Sequence, residues 1–338
     1  MRIGKMSVLL AALLVAALPL SGAQIPAYDA FYVFGDSLAD NGNDFIASQQ
    51  NGVDPAIPPS LTPHKTYFKG RFSNGPVAFE YLWLLLTGDP PGSKNGLKPV
   101  LESPAVVPTG AVDFAFGGST TGVFTPLPGG IFVPGLIGQV QMFHDALQGR
   151  RPSRRALYGV ITGAGDYFAY LNPGQPVLTP AQVVANISFS VESLYLLGAR
   201  NVLVVNLPDL GKIPLVAGTP ASPVLSALSS QHNAALTLSL RDLADRHPDL
   251  RLKPIDVNEV LSQLPNSVNQ TLPALDALFP PPGPGELPMS VCLFTNPLNC
   301  RDVPTFDVRF KFLYWDVEHP TTAVHGLLAW HIFGKLAH

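Results

Sequence analysis

Cysteine is nearly absent from the 338-residue chain, with only Cys292 and Cys300, and charged residues make up just 13% of it. Two cysteines without a histidine cluster beside them do not suggest a zinc site, and no HExxH or EF-hand loop occurs. Basic residues are outnumbered, 21 Lys and Arg against 24 Asp and Glu, which removes the positive field that nucleic-acid binding needs. Beyond Leu20 no apolar run approaches the roughly 20 residues that cross a bilayer as a helix. What the chain does have is apolar mass, 46% hydrophobic residues, enough to bury a large core without a metal or a disulfide framework.

The N-terminus has a different character. Arg2 and Lys5 precede the apolar run from Val8 to Leu20, and the small residues Ser21 and Ala23 follow it. That order predicts a cleavable export signal over residues 1–23, a mature chain of residues 24–338 forming one domain with long loop insertions, and a secreted or periplasmic location. Losing Arg2 and Lys5 would make the net charge of −3 two units more negative. In an oxidising compartment Cys292 and Cys300 are expected to pair across a short loop. The sequons at Asn186 and Asn269 would matter only in a glycosylating host.

Five segments carry the β-branched and aromatic enrichment of buried strands: Phe31 to Phe34, Ala111 to Phe116, Leu157 to Thr162, Val202 to Val205 and Leu250 to Val257. Helical patterns intervene, clearest over Pro76 to Leu86, Pro180 to Leu197, Ser222 to Arg246 and Thr321 to Leu336. Pro76 and Pro180 suit a first helical turn, Thr321 or Thr322 can cap the last helix, and Gly198 fits a C-terminal cap. Strands alternating with helices predict an α/β fold: a three-layer α/β/α sandwich around a doubly wound parallel sheet, with chemistry beyond the C-terminal strand ends. Pro- and Gly-rich stretches at 50–75, 87–110, 121–136 and 264–305 are either pocket walls or solvent-exposed decoration.

At the first strand end, "FGDSLADNGN" places Ser37 directly after Gly35 and Asp36. A serine there is either a helix cap or a nucleophile, and the second role requires a base. Far downstream, "WDVEHP" offers His319 and, three residues earlier, Asp316 to orient it. Asp36, Asp40 and Asp166 read as turn-bracing groups, Arg71 as a loop brace or a substrate contact, His144 as a surface residue, and His325 as a helix-interior histidine.

Together with "GRFSNGP" at 70–76, "FAFGGST" at 114–120 and "LYLLGARNVLVVNLPDLG" at 194–211, these segments resemble the GDSL or SGNH hydrolase family of esterases and lipases. The likeness spans nearly the whole mature chain and points to the branch with long inserts. It implies a flavodoxin-like α/β/α fold and a secreted carboxylic ester hydrolase working through an acyl-serine intermediate, with Ser37 as nucleophile, His319 as base and Asp316 as its partner. The oxyanion hole would use the amides of Ser37 and Gly118, with Gly117 as the adjacent alternative. The expected partner is a small-molecule or lipid ester met by a monomer, with transient lipid-surface contact compatible, and no cofactor, metal or nucleic acid.

One position departs from the pattern. The family's third block reads Gly-x-Asn-Asp, whereas "GAGD" puts Gly165 where the Asn side chain would donate to the oxyanion. Loss of such a donor costs on the order of 10²–10³ in rate where nothing replaces it. The Gly165 amide, a water, or the side chain of Asn206 or Asn43 would have to substitute, or the protein is an impaired, binding-only relative. Acyl transfer on the same triad is the other alternative.

Overall fold

In a computed structural model, described over residues 26–61, 65–102, 110–127, 131–171, 177–262, 264, 283–285 and 312–337, the chain forms an α/β fold. The strands are β1 (Ala30–Gly35), β2 (Lys98–Pro99), β3 (Gly110–Asp113), β4 (Phe124–Leu127), β5 (Ile131–Pro134), β6 (Ala156–Ile161), β7 (Asn201–Val205) and β8 (Arg251–Ile255). The helices are α1 (Asn43–Gln50), α2 (Ala78–Thr87), α3 (Leu136–Leu147), α4 (Ala164–Phe168), α5 (Pro180–Leu197), α6 (Ser222–Arg246), α7 (Val257–Ser262) and α8 (Thr322–Leu336). Six strands form one sheet in the order β2-β3-β1-β6-β7-β8, and every pairing in it is parallel. Chain order reverses across β1, which creates the crevice where ligands of doubly wound sheets bind.

Period-two alternation sorts the central strands between two cores. Tyr32 and Phe34 of β1 join Tyr158 and Val160 of β6 on one face, under α3, α5 and α6. Phe31 and Val33 point to the other face, with Leu157, under α2 and α8. Aromatic packing anchors both, with Phe34 stacked on Phe114 and Phe31 edge-on to Phe79. Because β1, β6 and β7 are buried along their whole length, their sequences read as continuous apolar runs rather than as alternating ones.

The predicted elements are present, with shifted ends. Helix α2 starts at Ala78 instead of Pro76, because the Pro76 carbonyl is engaged by Thr322 Oγ1 and Glu80 accepts the Val77 N–H. Thr321 occupies the N-cap of α8, but its hydroxyl donates to the Phe312 carbonyl and does not cap. Thr179 and Gln182 form a capping box ahead of Pro180, and Gly198 ends α5 at φ 125°. The short edge strand β2, the antiparallel hairpin β4–β5 inside the 121–136 stretch and the short helices α1, α4 and α7 had no counterpart among the predicted elements. Cys292, Cys300 and Asn269 lie outside the described residues, as does the proposed leader. No described helix is long and apolar enough to cross a membrane.

Candidate active site

Strand β1 ends at Gly35 because the chain must turn against the end of β6. A Cβ at Gly35 would lie 2.0 Å from the Ile161 carbonyl oxygen, and the residue's φ of 151° suits glycine. The following turn is held by the Asp36 N–H on the Ile161 carbonyl and by the Asp36 carboxylate, which accepts the Leu38 N–H. Ser37 is thereby presented at the strand's C-terminal edge. Asp40, fully buried, accepts the N–H groups of Gly42, Asn43, Asp44 and Gly117, so one carboxylate caps α1 and fastens the loop after β3 to the Ser37 turn. Asn43 adds bonds to the Asp113 and Ala115 carbonyls.

The segment before α8 delivers the other half. Asp316 accepts the N–H groups of Glu318 and His319 on Oδ1, folding the chain into a tight turn, while Trp315 N–H closes it on the His319 carbonyl. The same carboxylate meets His319 Nδ1 at 2.7 Å through Oδ2, and the opposite ring nitrogen, Nε2, lies 2.8 Å from Ser37 Oγ. Tyr67 donates its hydroxyl to Asp316 Oδ2 at 2.8 Å, and the Phe72 ring lies 5.1 Å from the imidazole. Sequence positions 37, 316 and 319 are thus brought into one hydrogen-bonded line.

Electrostatics around this line are set by burial. Burial opposes a charged His319, but the Asp316 carboxylate and its hydrogen bond outweigh it, with Glu318 and Asp36 adding to the effect, so the imidazole is held above its ordinary value. Burial pushes the Asp36 carboxyl up to about 7, and that of Glu318 also up to about 7. His325, by contrast, is driven down to about 3 by burial and by His319, and its Nδ1 accepts the Ala78 N–H. It lines the cavity as a neutral helix-interior histidine.

A cavity of about 400 Å³ opens over Ser37 and His319. Its walls are mostly apolar, including Ile57, Phe72, Phe168, Ile213, Val260 and Leu313; Asp36, Asp44 and Glu318 border it, and among the described residues no Lys or Arg does. Gly117 and Gly118 both line it, yet the two amides differ. The Gly117 N–H is taken by Asp40, whereas those of Ser37 and Gly118, the latter at φ 69°, have no acceptor among the described residues.

Of the alternatives open at Gly165, the side chains of Asn206 and Asn43 already have other partners in the structure. Asn206 donates to Asp256 and accepts the Val257 N–H, while Asn43 is bound to the Asp113 and Ala115 carbonyls and the Leu101 N–H; both are committed elsewhere. Gly165 instead lets the chain after Gly118 press close, since a Cβ there would stand 2.5 Å from the Ser119 carbonyl oxygen. Asp166, next along, accepts the N–H and hydroxyl of Thr121 and so ties the end of β6 to the same loop.

Gln139 and Tyr67 were not singled out in the sequence. Gln139 is fully buried on α3; its Oε1 accepts the Gly35 N–H at 2.8 Å, and its Nε2 donates to the Gly35 carbonyl, Ser119 Oγ and the Pro134 carbonyl. A signal existed: in "LIGQVQMF" Gln139 falls on the helix stripe of Leu136, Phe143 and Leu147, so its amide had to be buried and partnered. Tyr67 carried none. Arg71 braces its loop through Glu80, and His144 is exposed beside Asp145.

The family model described as GDSL-like Lipase/Acylhydrolase matches residues 31–332. A phosphatidylcholine-sterol acyltransferase of Aeromonas hydrophila is 27% identical, with 90% of this chain and 89% of that protein covered. A GDSL esterase/lipase of Arabidopsis thaliana is 24% identical, with 88% and 87% covered. Among solved structures, a member of the lipolytic protein G-D-S-L family from Veillonella parvula superposes at a TM-score of 0.40 with 11% identity, covering 90% of this chain and 96% of its own.

Proposed function

The chain belongs to the GDSL-like lipase/acylhydrolase family, and we propose that it is an exported serine esterase that hydrolyses carboxylic esters through an acyl-Ser37 intermediate. The observation that carries this reading is the line from Ser37 Oγ through His319 to Asp316, at 2.8 and 2.7 Å. Ser37 Oγ attacks the ester carbonyl carbon while its proton passes to His319 Nε2, and Asp316 stabilises the resulting imidazolium through Nδ1. The carbonyl oxygen takes up negative charge facing the unpaired amides of Ser37 and Gly118. Collapse breaks the bond to the alcohol oxygen, which leaves with the proton from His319. Water then attacks the acyl carbon, gives its proton to His319, and the acid departs as Ser37 regains its own.

Gly165 supplies no side-chain donor in this reading, and turnover is correspondingly below that of a site with three. The apolar cavity walls and the absence of Lys and Arg among the described residues that border it favour an uncharged acyl chain over an anionic one. Ser37→Ala should abolish hydrolysis of a short-chain aryl ester while circular dichroism stays unchanged, and retained turnover would sink the assignment. A fluorophosphonate should label Ser37; a site that only binds would stay unlabelled. The Aeromonas relative's name supports a second reading, in which an alcohol resolves the acyl-enzyme in place of water. Product analysis with added acceptor alcohol separates transfer from hydrolysis.

A further inference from the structure

The hairpin β4–β5 stands next to the cavity wall. Thr120, one residue after the cavity-lining Ser119, bonds through its N–H and hydroxyl to Thr125 Oγ1, and Ser119 Oγ donates to the Pro134 carbonyl. Pairing of Phe124 with Pro134 and of Pro126 with Phe132 puts these four residues on one face, with Thr125 and Val133 buried on the other. The outer face is apolar, with Phe124 65% and Phe132 67% exposed, and Val123 beside it is 49% exposed. Two exposed aromatics on one small face mark an interaction surface.

Charge and backbone chemistry narrow the partner. No Asp, Glu, Lys or Arg occurs between Asp113 and Asp145, in a chain whose net charge is −3. The hairpin and the segments that flank it therefore carry no charge of their own with which to recognise a polar protein surface or anionic headgroups. Pro126 on one strand and Pro134 on the other remove backbone donors, which disfavours pairing with a strand from a second copy. We infer that this hairpin face is an interfacial anchor that inserts Phe124 and Phe132 into a neutral or zwitterionic lipid surface and sets the cavity mouth against it. The consequence for turnover rests on the esterase reading above, whereas the binding step does not.

Flotation with phosphatidylcholine vesicles tests the binding step without requiring turnover. The double variant Phe124→Ser/Phe132→Ser should partition about tenfold less than the wild type, and adding anionic lipid should not raise wild-type binding. Hydrolysis of a water-soluble short-chain ester should be unchanged, while hydrolysis of an ester embedded in the vesicles falls. Phe124→Trp provides a check that does not depend on losing a side chain, because the emission of the introduced indole should shift to the blue on vesicle addition. Equal partitioning of the double variant and wild type, or an unshifted emission from Phe124→Trp, overturns the inference. So does a wild-type dimer in sedimentation velocity that the double variant converts to monomer without any change in partitioning. If the wild type floats but fails to cleave the soluble ester, the esterase reading falls and the anchor stands.

Discussion

Replacing Gly165 by the family's asparagine should lower activity, although it adds the donor that the sequence lacks. An ideal Cβ at residue 165 lies 2.5 Å from the Ser119 carbonyl oxygen, and ordinary contact begins at 3.4 Å, so the two segments must part by roughly 0.9 Å. Ser119 follows Gly118, to which we assign an oxyanion donor, and it is pinned by Pro134 and Gln139. Moving a catalytic donor by about 1 Å costs on the order of 10² in rate, and the 10²–10³ or so that a third donor brings requires a correct placement that the same displacement denies to the new amide. Overpacking of this kind also costs about 1–3 kcal/mol, a fall of a few degrees in melting temperature. Gly165→Ala, which adds only the Cβ, should lose about two orders of magnitude in kcat on a short-chain aryl ester. Gly165→Asn should recover part of that loss without exceeding the wild type. A Gly165→Asn enzyme faster than the wild type would refute the steric argument and restore the view that this site merely lacks a group.

Three further outcomes follow from buried contacts. Gln139→Leu leaves the Gly35 N–H buried and unpaired and removes one of the bonds on Ser119 Oγ; kcat should fall about tenfold or more with KM little changed, since Gln139 itself does not line the cavity and Ser119 keeps its bond to Pro134, and a change confined to KM contradicts the positioning role. Tyr67→Phe removes a hydroxyl from a fully buried carboxylate and should cost about 1.5–3 kcal/mol in chemical denaturation; an unchanged midpoint would show the bond to be replaceable. His319 must be neutral to accept a proton, and it is held above its ordinary 6.5, so kcat/KM should rise with pH along a limb centred above that value. Glu318→Gln removes a negative charge that favours the imidazolium, and the limb should move to lower pH; a limb that stays or moves up contradicts the assignment. In stability the sign is opposite: the raised His319 contributes below its unfolded value and loses that contribution as pH climbs through the folded one.

The parts legible in the sequence were those with a local signature. Strands β1, β6 and β7 announced themselves as apolar runs, α5 by its helical pattern and its terminal Pro180 and Gly198, and α6 by its helical pattern alone. Ser37, Asp316 and His319 stood in short motifs whose distances from one another along the chain do not matter to the motif. What stayed hidden depends on contacts between distant segments. Tyr67 reaches Asp316 across 249 positions, and nothing near Tyr67 hints at it. The β4–β5 hairpin was obscured by Pro126 and Pro134, which argue against strand structure and are tolerated here because a two-stranded sheet is all edge. Gly165 was visible as a departure, but its meaning came only from the Ser119 carbonyl that fills the space.

Ser37 and His319, hydrogen-bonded to each other, are separated by 282 positions. The nucleophile is fixed by the first strand of the sheet, while the base arrives with α8, which packs on α2 on the opposite side of β1 from α3. The Ser37 turn, the Gly118 loop and all six strands of the sheet precede residue 312 along the chain, so the nucleophile's half of the site is complete in sequence before its proposed base is reached. Under the proposed reading the two halves meet only when the segment carrying residue 319 has closed across the sheet, so a chain cut short before that segment would hold the nucleophile without its base.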